Sequence, residues 1–383
     1  MPKKRLLKLD IVHPRSYLER VQREWADLDR ISLEEYRERL IALRSNYSDY
    51  YTHYLNESGE WEAEEYFLHD PVYQQKVAER IYGKAKYNFY KQARRIRRRL
   101  PYVQPLDMRH QIIKDYIAHY RPDVIFVRSQ PVPSRFWQQF RIDALLVARL
   151  SARMPRRWHP NDFDLIYTDN PDFQHFFQLH GTPTILNDQG FDQRINAELI
   201  DRPKQYDATF VGGLGYENFG QRTDFMRAIA QRYEGFRWWG YWWHSSSYTE
   251  PMEQYPELAR TYEGSTSGLE MYQIYRDSRI IVNDYVDTAG GIGFNQRMFE
   301  VMGVGSLLLT RAARNFEGVF PDDIFVTYDS LDDCLEKIAY YLDHPEEREA
   351  IAARGKAFIA ERYGYERITA EFGAELTRRL ATR

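Results

Sequence analysis

The chain has 383 residues, with 53 Lys and Arg against 56 Asp and Glu and a formal net charge of -3, a balance that argues against a dedicated nucleic-acid binder. That length suggests two domains, and 43% hydrophobic residues supply apolar material for two cores. A single cysteine, Cys334, excludes an intrachain disulfide framework and fits a reducing cytoplasm; the apolar run in MPKKRLLKLDIVHP is too short and interrupted for a signal peptide, and no stretch approaches the roughly 20 apolar residues of a membrane span.

In chain order, Leu6–Val12 reads as a short strand stopped by Pro14. Ser32 and Glu35 form a capping box ahead of Leu33, Tyr36, Leu40 and Leu43, which share one helical face. Residues 45–100 are rich in Tyr and charge and read as largely helical. Their basic run Arg94–Arg99 fits a solvated helix face, with an anionic acceptor or a membrane surface as the other readings. A helix over Gln111–His119 leads into the strand Asp123–Arg128, and Asp164–Thr168 and Thr184–Leu186 follow as short strands. This alternation predicts an α/β parallel sheet. Asp162-Phe163-Asp164 spells DxD but stands at the entry to a strand, not its carboxyl end, so it predicts no metal.

The polar joint Asp201–Tyr206 opens a second series. Strands are expected at Ala208–Val211, Phe236–Gly240, Arg279–Asn283, Ser306–Thr310 and Ile324–Tyr328. Helices are expected at Gln221–Tyr233, Met298–Val301, Ser330–Leu342 and Glu346–Arg362. Ser330 with Asp333 resembles a capping box, and Pro345 suits a helix's first turn. Two Rossmann-like halves of this kind bind ligands beyond the carboxyl ends of their strands. The loops after Val12, Val127, Leu186, Val211, Trp239, Val282 and Thr310 are therefore the candidates.

Three stretches carry chemistry. Gly212–Gly220 (GGLGYENFG) lies between a strand and a helix, where Gly213 and its neighbours let backbone approach a phosphate and the helix N-terminus offers unbonded N–H groups. Arg222 could neutralise a pyrophosphate there; a plain βα turn explains the glycines as well. Phe236–His244 (FRWWGYWWH) crowds aromatics around Gly240 and Tyr241, fit for stacking a base or sugar or for filling a core. In Gly293–Gly305 (GFNQRMFEVMGVG), Arg297 and Glu300 share a helical face. A carboxylate there can accept from two ribose hydroxyls; the competing reading is a solvent-exposed Arg–Glu pair. The histidines show no HxxxH or HExxH spacing, so no zinc site is expected.

The pieces YDATFVGGLG, FRWWG, MYQIYRDSRIIVND, FNQRMFEVMGVGSLLLT and VTYDSLDDCLEKIAYYLDHPEEREAIAARGKAFIAERYGYERI, in that order and spacing, resemble the C-terminal domain of GT-B glycosyltransferases related to family 4, the CgeB-like or group 1 glycosyl transferases. RPDVIFVRSQ and DLIYTDNPDFQHFFQLHGTPTILNDQGFD resemble that group's N-terminal domain more weakly. The resemblance implies two Rossmann-like domains facing a cleft. Residues 1–203 would bind the acceptor and residues 204–364 a nucleotide-sugar donor, with a last helix over 365–383 crossing back. It also implies that Glu300 binds the donor ribose, that Asn295 and Arg297 lie in the motif before it with Arg297 toward the phosphates, that Gly264 lies near the base, and that no metal is needed. Many relatives carry a further glutamate where this chain has Ile292, so sugar and stereochemistry stay open; CgeB-like sequences use N-x-R-x-x-E instead. On the acceptor side, His13 is either a general base or a turn histidine before Pro14. Asp188, Gln189 and Asp192 either touch sugar or acceptor or are simply polar loop residues. The expected activity is metal-independent glycosyl transfer from a nucleotide diphosphate sugar to a glycan, lipid or protein acceptor. The expected setting is cytoplasmic, with no nucleic acid and room for peripheral membrane contact. A catalytically silent binding protein and a nucleotide-sugar epimerase of the same fold are the alternatives.

Overall fold

A computed structural model describes residues 2–45, 48–88, 92, 108–129, 132–150, 158–186, 189–217, 219–242, 254–287, 291–293 and 295–383. The first half builds strands β1 (Lys4–Asp10), β2 (Trp61–Phe67), β3 (Val124–Val127), β4 (Leu145–Arg149), β5 (Leu165–Thr168) and β6 (Thr184–Leu186). They form one sheet in the order β2-β1-β3-β4-β5-β6, and every pair is parallel. The second half builds β7 (Tyr206–Leu214), β8 (Phe236–Trp242), β9 (Ser278–Asn283), β10 (Leu307–Arg311) and β11 (Val326–Tyr328). These pair in parallel in the order β11-β10-β9-β7-β8. Parallel strands are covered by crossover helices on both faces, which is why VIFV of β3 and most of β7 and β9 are buried without alternation.

Two strands differ from the expected pattern. Trp61–Phe67 lies inside the stretch read as largely helical, and its sequence WEAEEYF carries three glutamates. Glu65 is nevertheless buried, because the Lys8 ammonium of the neighbouring strand sits 2.9 Å from it. Burial pushes the Glu65 carboxyl up to about 7 against the pull of that lysine. An ion pair thus stands where an apolar side chain would have signalled a strand. LLVAR of β4 is a short apolar run, which periodicity alone cannot assign.

Local signals elsewhere are met. Ser32 and Glu35 close a reciprocal capping box on the helix Leu33–Ala42. Ser330 accepts from the Asp333 N–H, and Pro345 begins the helix Pro345–Arg362. The two halves share packing. The last helix, Tyr365–Ala381, lies against the helix Tyr50–Glu57 of the first half, with Phe372 5.0 Å from Tyr51 and 4.9 Å from Phe126 between ring centres. At the joint, Arg202 holds Asp277 at 2.5 Å. Among the described residues, no helix is long and apolar enough to cross a membrane.

Candidate active site

The carboxyl ends of the two sheets face a shared cleft of about 420 Å³. Its far wall starts where β7 pairs with β8, Gly212 opposite Gly240 and Gly213 opposite Tyr241. Gly240 has φ +145°, and a Cβ there would strike the Gly212 carbonyl. Gly212 has a different reason: a Cβ on it would occupy the space of the Arg297 guanidinium. The Tyr241 ring lies against Gly213. These glycines admit side chains and a strand partner, which accounts for them as parts of a βα turn.

The expected anion seat at the next helix is also taken. The first N–H groups of Gly220–Arg232 belong to Gly220 and Gln221, and both donate to the Asp287 carboxylate, at 2.7 and 3.3 Å. An internal carboxylate satisfies the helix end that a phosphate was expected to use.

The cationic groups converge instead on the cleft side of that helix. Arg222 is 4% exposed, donates to the Gly213 carbonyl, and lies 4.1 Å over the Phe219 ring. Arg297 lies 4.6 Å over Phe210 and donates to Asn283 Oδ1 at 2.7 Å. Neither forms an ion pair with a carboxylate among the described residues; the nearby Asp284 carboxylate is held by Arg311 at 2.6 Å. Burial first, and the like charge of Arg297 second, push the Arg222 guanidinium down to about 9. At neutral pH it remains a cation. Asp284 and Asp287 act on Arg222, and Glu300 and Asp284 on Arg297, without an ion pair to either, so two adjacent cations line one cleft.

Asn295 caps the helix Gln296–Val304 at the cleft. Its Oδ1 accepts from Met298 N–H at 3.3 Å, and its Nδ2 donates to Asn283 Oδ1 at 2.9 Å. Its side chain thus holds the helix end and Asn283, which in turn fixes Arg297. One turn on, Glu300 is 9% exposed and accepts from the Tyr272 hydroxyl at 3.3 Å. Burial raises its carboxyl to about 7, with Arg297 pulling the other way. The exposed Arg–Glu pair of the alternative reading does not form, because both side chains face inward.

The near wall belongs to the first sheet. His13 follows β1 and packs edge-on to Tyr241, 4.8 Å between ring centres. Burial pulls its imidazole down to about 4, so it is neutral at pH 7. The His13 carbonyl accepts from Ser267 Oγ at 2.8 Å and Ser45 Oγ at 3.2 Å, one serine from each half. Gln189 also lines the cleft and donates to Asp169.

Asp169 and Asn170 were missed, because the loop after β5 was not among the candidates. The signal was present: Thr168-Asp169-Asn170-Pro171 ends a strand, and Asn170 caps the helix Pro171–Leu179. Thr266, Ser267, Met271 and Tyr275 were missed too; nothing in their spacing marks them. Thr266 Oγ1 is buried without a hydrogen-bond partner among the described residues. Thr266→Val should therefore raise the melting temperature of the ligand-free protein by removing an unsatisfied hydroxyl. It should also weaken nucleotide binding about threefold to tenfold. Unchanged affinity in titration calorimetry would leave Thr266 no part in binding.

Other expected contacts lie elsewhere. Gly264 is outside the cleft lining; its carbonyl accepts from Gly240 N–H at 2.9 Å and braces β8. Asp192 is also off the cleft, fully buried, bound by Arg194 at 2.5 Å and by the Tyr54 hydroxyl at 3.0 Å. A carboxylate so engaged does not reach sugar or acceptor. Asp188, Arg94–Arg99, Trp243 and His244 lie outside the described residues. In the DxD stretch, Asp162 binds Ser134 at 2.5 Å and Asp164 binds Arg141 at 2.7 Å, so both carboxylates brace the first half.

Residues 222–374 match a family described as glycosyl transferase-like. Among solved structures, sucrose-phosphate synthase from Thermosynechococcus elongatus superposes with a TM-score of 0.55 at 12% identity, covering 100% of both chains. An OtsA apo structure gives 0.55 at 12% identity, over 98% of this chain and 99% of that one. Anabaena Alr3699/HepE in complex with UDP-glucose gives 0.53 at 12% identity, over 98% and 99%. A comparison with curated protein sequences found no match. The fold is GT-B, and the chain resembles the glycosyltransferases that share it. In this GT-B cleft, Ile292 presents a buried apolar side chain. Among the described residues, Glu300 and Asp169 are the carboxylates that line it, one from each wall.

Proposed function

We propose that the protein transfers a sugar from a nucleotide diphosphate sugar to an acceptor hydroxyl, without a metal, in the cytoplasm. The observation that carries this reading is the pair Arg222 and Arg297, neither held in an ion pair by a carboxylate among the described residues, with the inward-facing Glu300 one helical turn from Arg297. Glu300 accepts from the donor ribose, and the two guanidiniums take the diphosphate charge that grows as the leaving group departs. The amino end of Gln296–Val304 adds its dipole on the same side. The acceptor lies against His13, Asp169 and Gln189. In the transfer, the acceptor oxygen forms its bond to the sugar's anomeric carbon, the bond from that carbon to the diphosphate oxygen breaks with its electron pair, and the acceptor proton passes to the His13 imidazole. His13 is held neutral, which is the state a general base requires, although its low basicity makes it a weak one.

The UDP-glucose complex of the similar Anabaena protein makes UDP sugars the first to try. A thermal-shift panel of UDP, GDP, TDP and ADP, each alone and as its glucose conjugate, tests the reading. Stabilisation by one base is the expected result; stabilisation by none would sink the donor assignment. Product analysis then separates acceptor-dependent transfer from epimerisation or hydrolysis of the donor.

A further inference from the structure

Glu300 is also reached from the other half of the molecule. Tyr50 opens the helix Tyr50–Glu57, and its hydroxyl lies 3.2 Å from that of Tyr272. Tyr272 in turn donates to Glu300 Oε1 at 3.3 Å. Both tyrosines are 1% exposed. The Tyr50 hydroxyl has a second neighbour, the Arg44 carbonyl, at 3.2 Å.

Each hydroxyl carries one proton, and two orderings run unbroken between Tyr50 and Glu300. With Glu300 ionised, Tyr50 donates to Tyr272 and Tyr272 donates to the carboxylate. With Glu300 protonated, the carboxyl donates to Tyr272, Tyr272 to Tyr50, and Tyr50 to the Arg44 carbonyl. Tyr50 donating to the Arg44 carbonyl beside an ionised Glu300 uses the same protons but breaks the row at Tyr50–Tyr272 or at Tyr272–Glu300. We propose that Tyr50 is a positioning residue for the donor: it orients the Tyr272 proton toward Glu300 and so ties the ribose contact to the N-terminal half. The assignment rests on the donor-ribose role given to Glu300 above.

The surroundings agree. The groups acting on Glu300 are Arg297 and Gln296 on its own helix and Tyr272 on the helix Gly268–Asp277. Tyr275, also on that helix, and Tyr50 feel its charge. Asp192 and Arg44 act on Tyr50. Burial holds both relay tyrosines well above the usual phenol range, so they stay protonated and Glu300 is the member that titrates. The Tyr50 ring packs 4.9 Å from Tyr365, a contact that Tyr50→Phe keeps.

The test uses Tyr50→Phe in the full chain, with Tyr272→Phe read the same way should the first variant fail to fold. In nucleotide-free protein, the infrared carbonyl stretch of protonated Glu300, identified by its loss in Glu300→Gln, is followed against pH. Losing the Tyr50 proton weakens Tyr272 as a donor to the anion, so the Glu300 midpoint should rise by about 0.5–1 pH unit. UDP affinity at pH 7 should fall roughly twofold to fivefold, with the gap closing at pH 9, where Glu300 is ionised in both proteins. A purely structural tyrosine would lower the melting temperature and leave the midpoint and the pH dependence of binding as in wild type; that result overturns the assignment alone. A wild type that binds none of UDP, GDP, TDP and ADP overturns the donor reading and this assignment with it.

Discussion

Glu300→Gln is expected to weaken nucleotide binding on the order of 100-fold while leaving the ligand-free protein at least as stable as wild type at pH 8. The binding loss follows from exchanging an anion that can accept from two ribose hydroxyls for a neutral amide. Charge-assisted hydrogen bonds contribute about 1.5–3 kcal/mol each, and about 3 kcal/mol in all corresponds to about 100-fold. The stability side has the opposite sign, because burial raises the carboxyl from the ordinary 4.5 to about 7. A folded-state value above the unfolded one means that the folded protein binds the proton more tightly. Ionised Glu300 therefore costs stability above about pH 7, and that cost is relieved as pH falls from 7 toward 4.5. Glutamine removes it at pH 8 and changes little at pH 5. Nucleotide affinity in wild type should run the other way, falling as pH drops below about 7 and the acceptor becomes protonated. Melting curves at pH 5 and pH 8, beside calorimetric titration with the nucleotide chosen by the panel, check both halves. A Glu300→Gln protein that melts lower at pH 8, or that binds as tightly as wild type, contradicts the role.

How far the sequence spoke depends on the range of the interaction concerned. Capping at Ser32 and Ser330 is written within four residues, and the strand runs at Val124, Ile280 and Leu307 are uniform enough to read. Strand β2 was hidden because its decisive contact, Lys8 to Glu65, joins residues 57 apart. The cleft shows the same divide. The spacing of Arg297 and Glu300 puts them on one helical face, but periodicity cannot say whether that face looks outward or into a cleft. Gly212 looks like part of a phosphate loop until Arg297, from beyond the next two strands, is seen to fill its side-chain space. Asp287 reads as one polar loop residue among several, yet it satisfies the helix end that seemed reserved for a ligand. Asp192 errs the other way. A loop carboxylate suggested ligand contact, and Arg194, two residues on, had already engaged it. Local rules recovered most of the strands and helices, with β2 and β4 the exceptions; what a polar side chain spends its charge on is mostly decided by partners far along the chain.

Arg222→Met should separate the charge of the anion site from its shape. Methionine can follow the arginine stem against Phe219 and Phe210, so the packing is largely kept while the cation goes. Removing it also removes the repulsion with Arg297, which is a cause of the low Arg222 value. The ligand-free variant should therefore melt at or above wild type. UDP should bind about tenfold to 100-fold more weakly, the worth of one or two charge-assisted contacts to phosphate oxygens. Uridine, which carries no phosphate, should bind both proteins alike. The ratio of UDP to uridine affinity is thus the sensitive quantity, and its dependence on salt should flatten in the variant, because one fewer cation is screened. Arg297→Met is expected to lower the same ratio and also to disturb Asn283 and Asn295, which share its hydrogen bonds. Its effect on melting is therefore the less favourable of the two. Should Arg222→Met weaken uridine and UDP equally, the guanidinium would be holding the cleft's shape, and the diphosphate would have to be bound elsewhere.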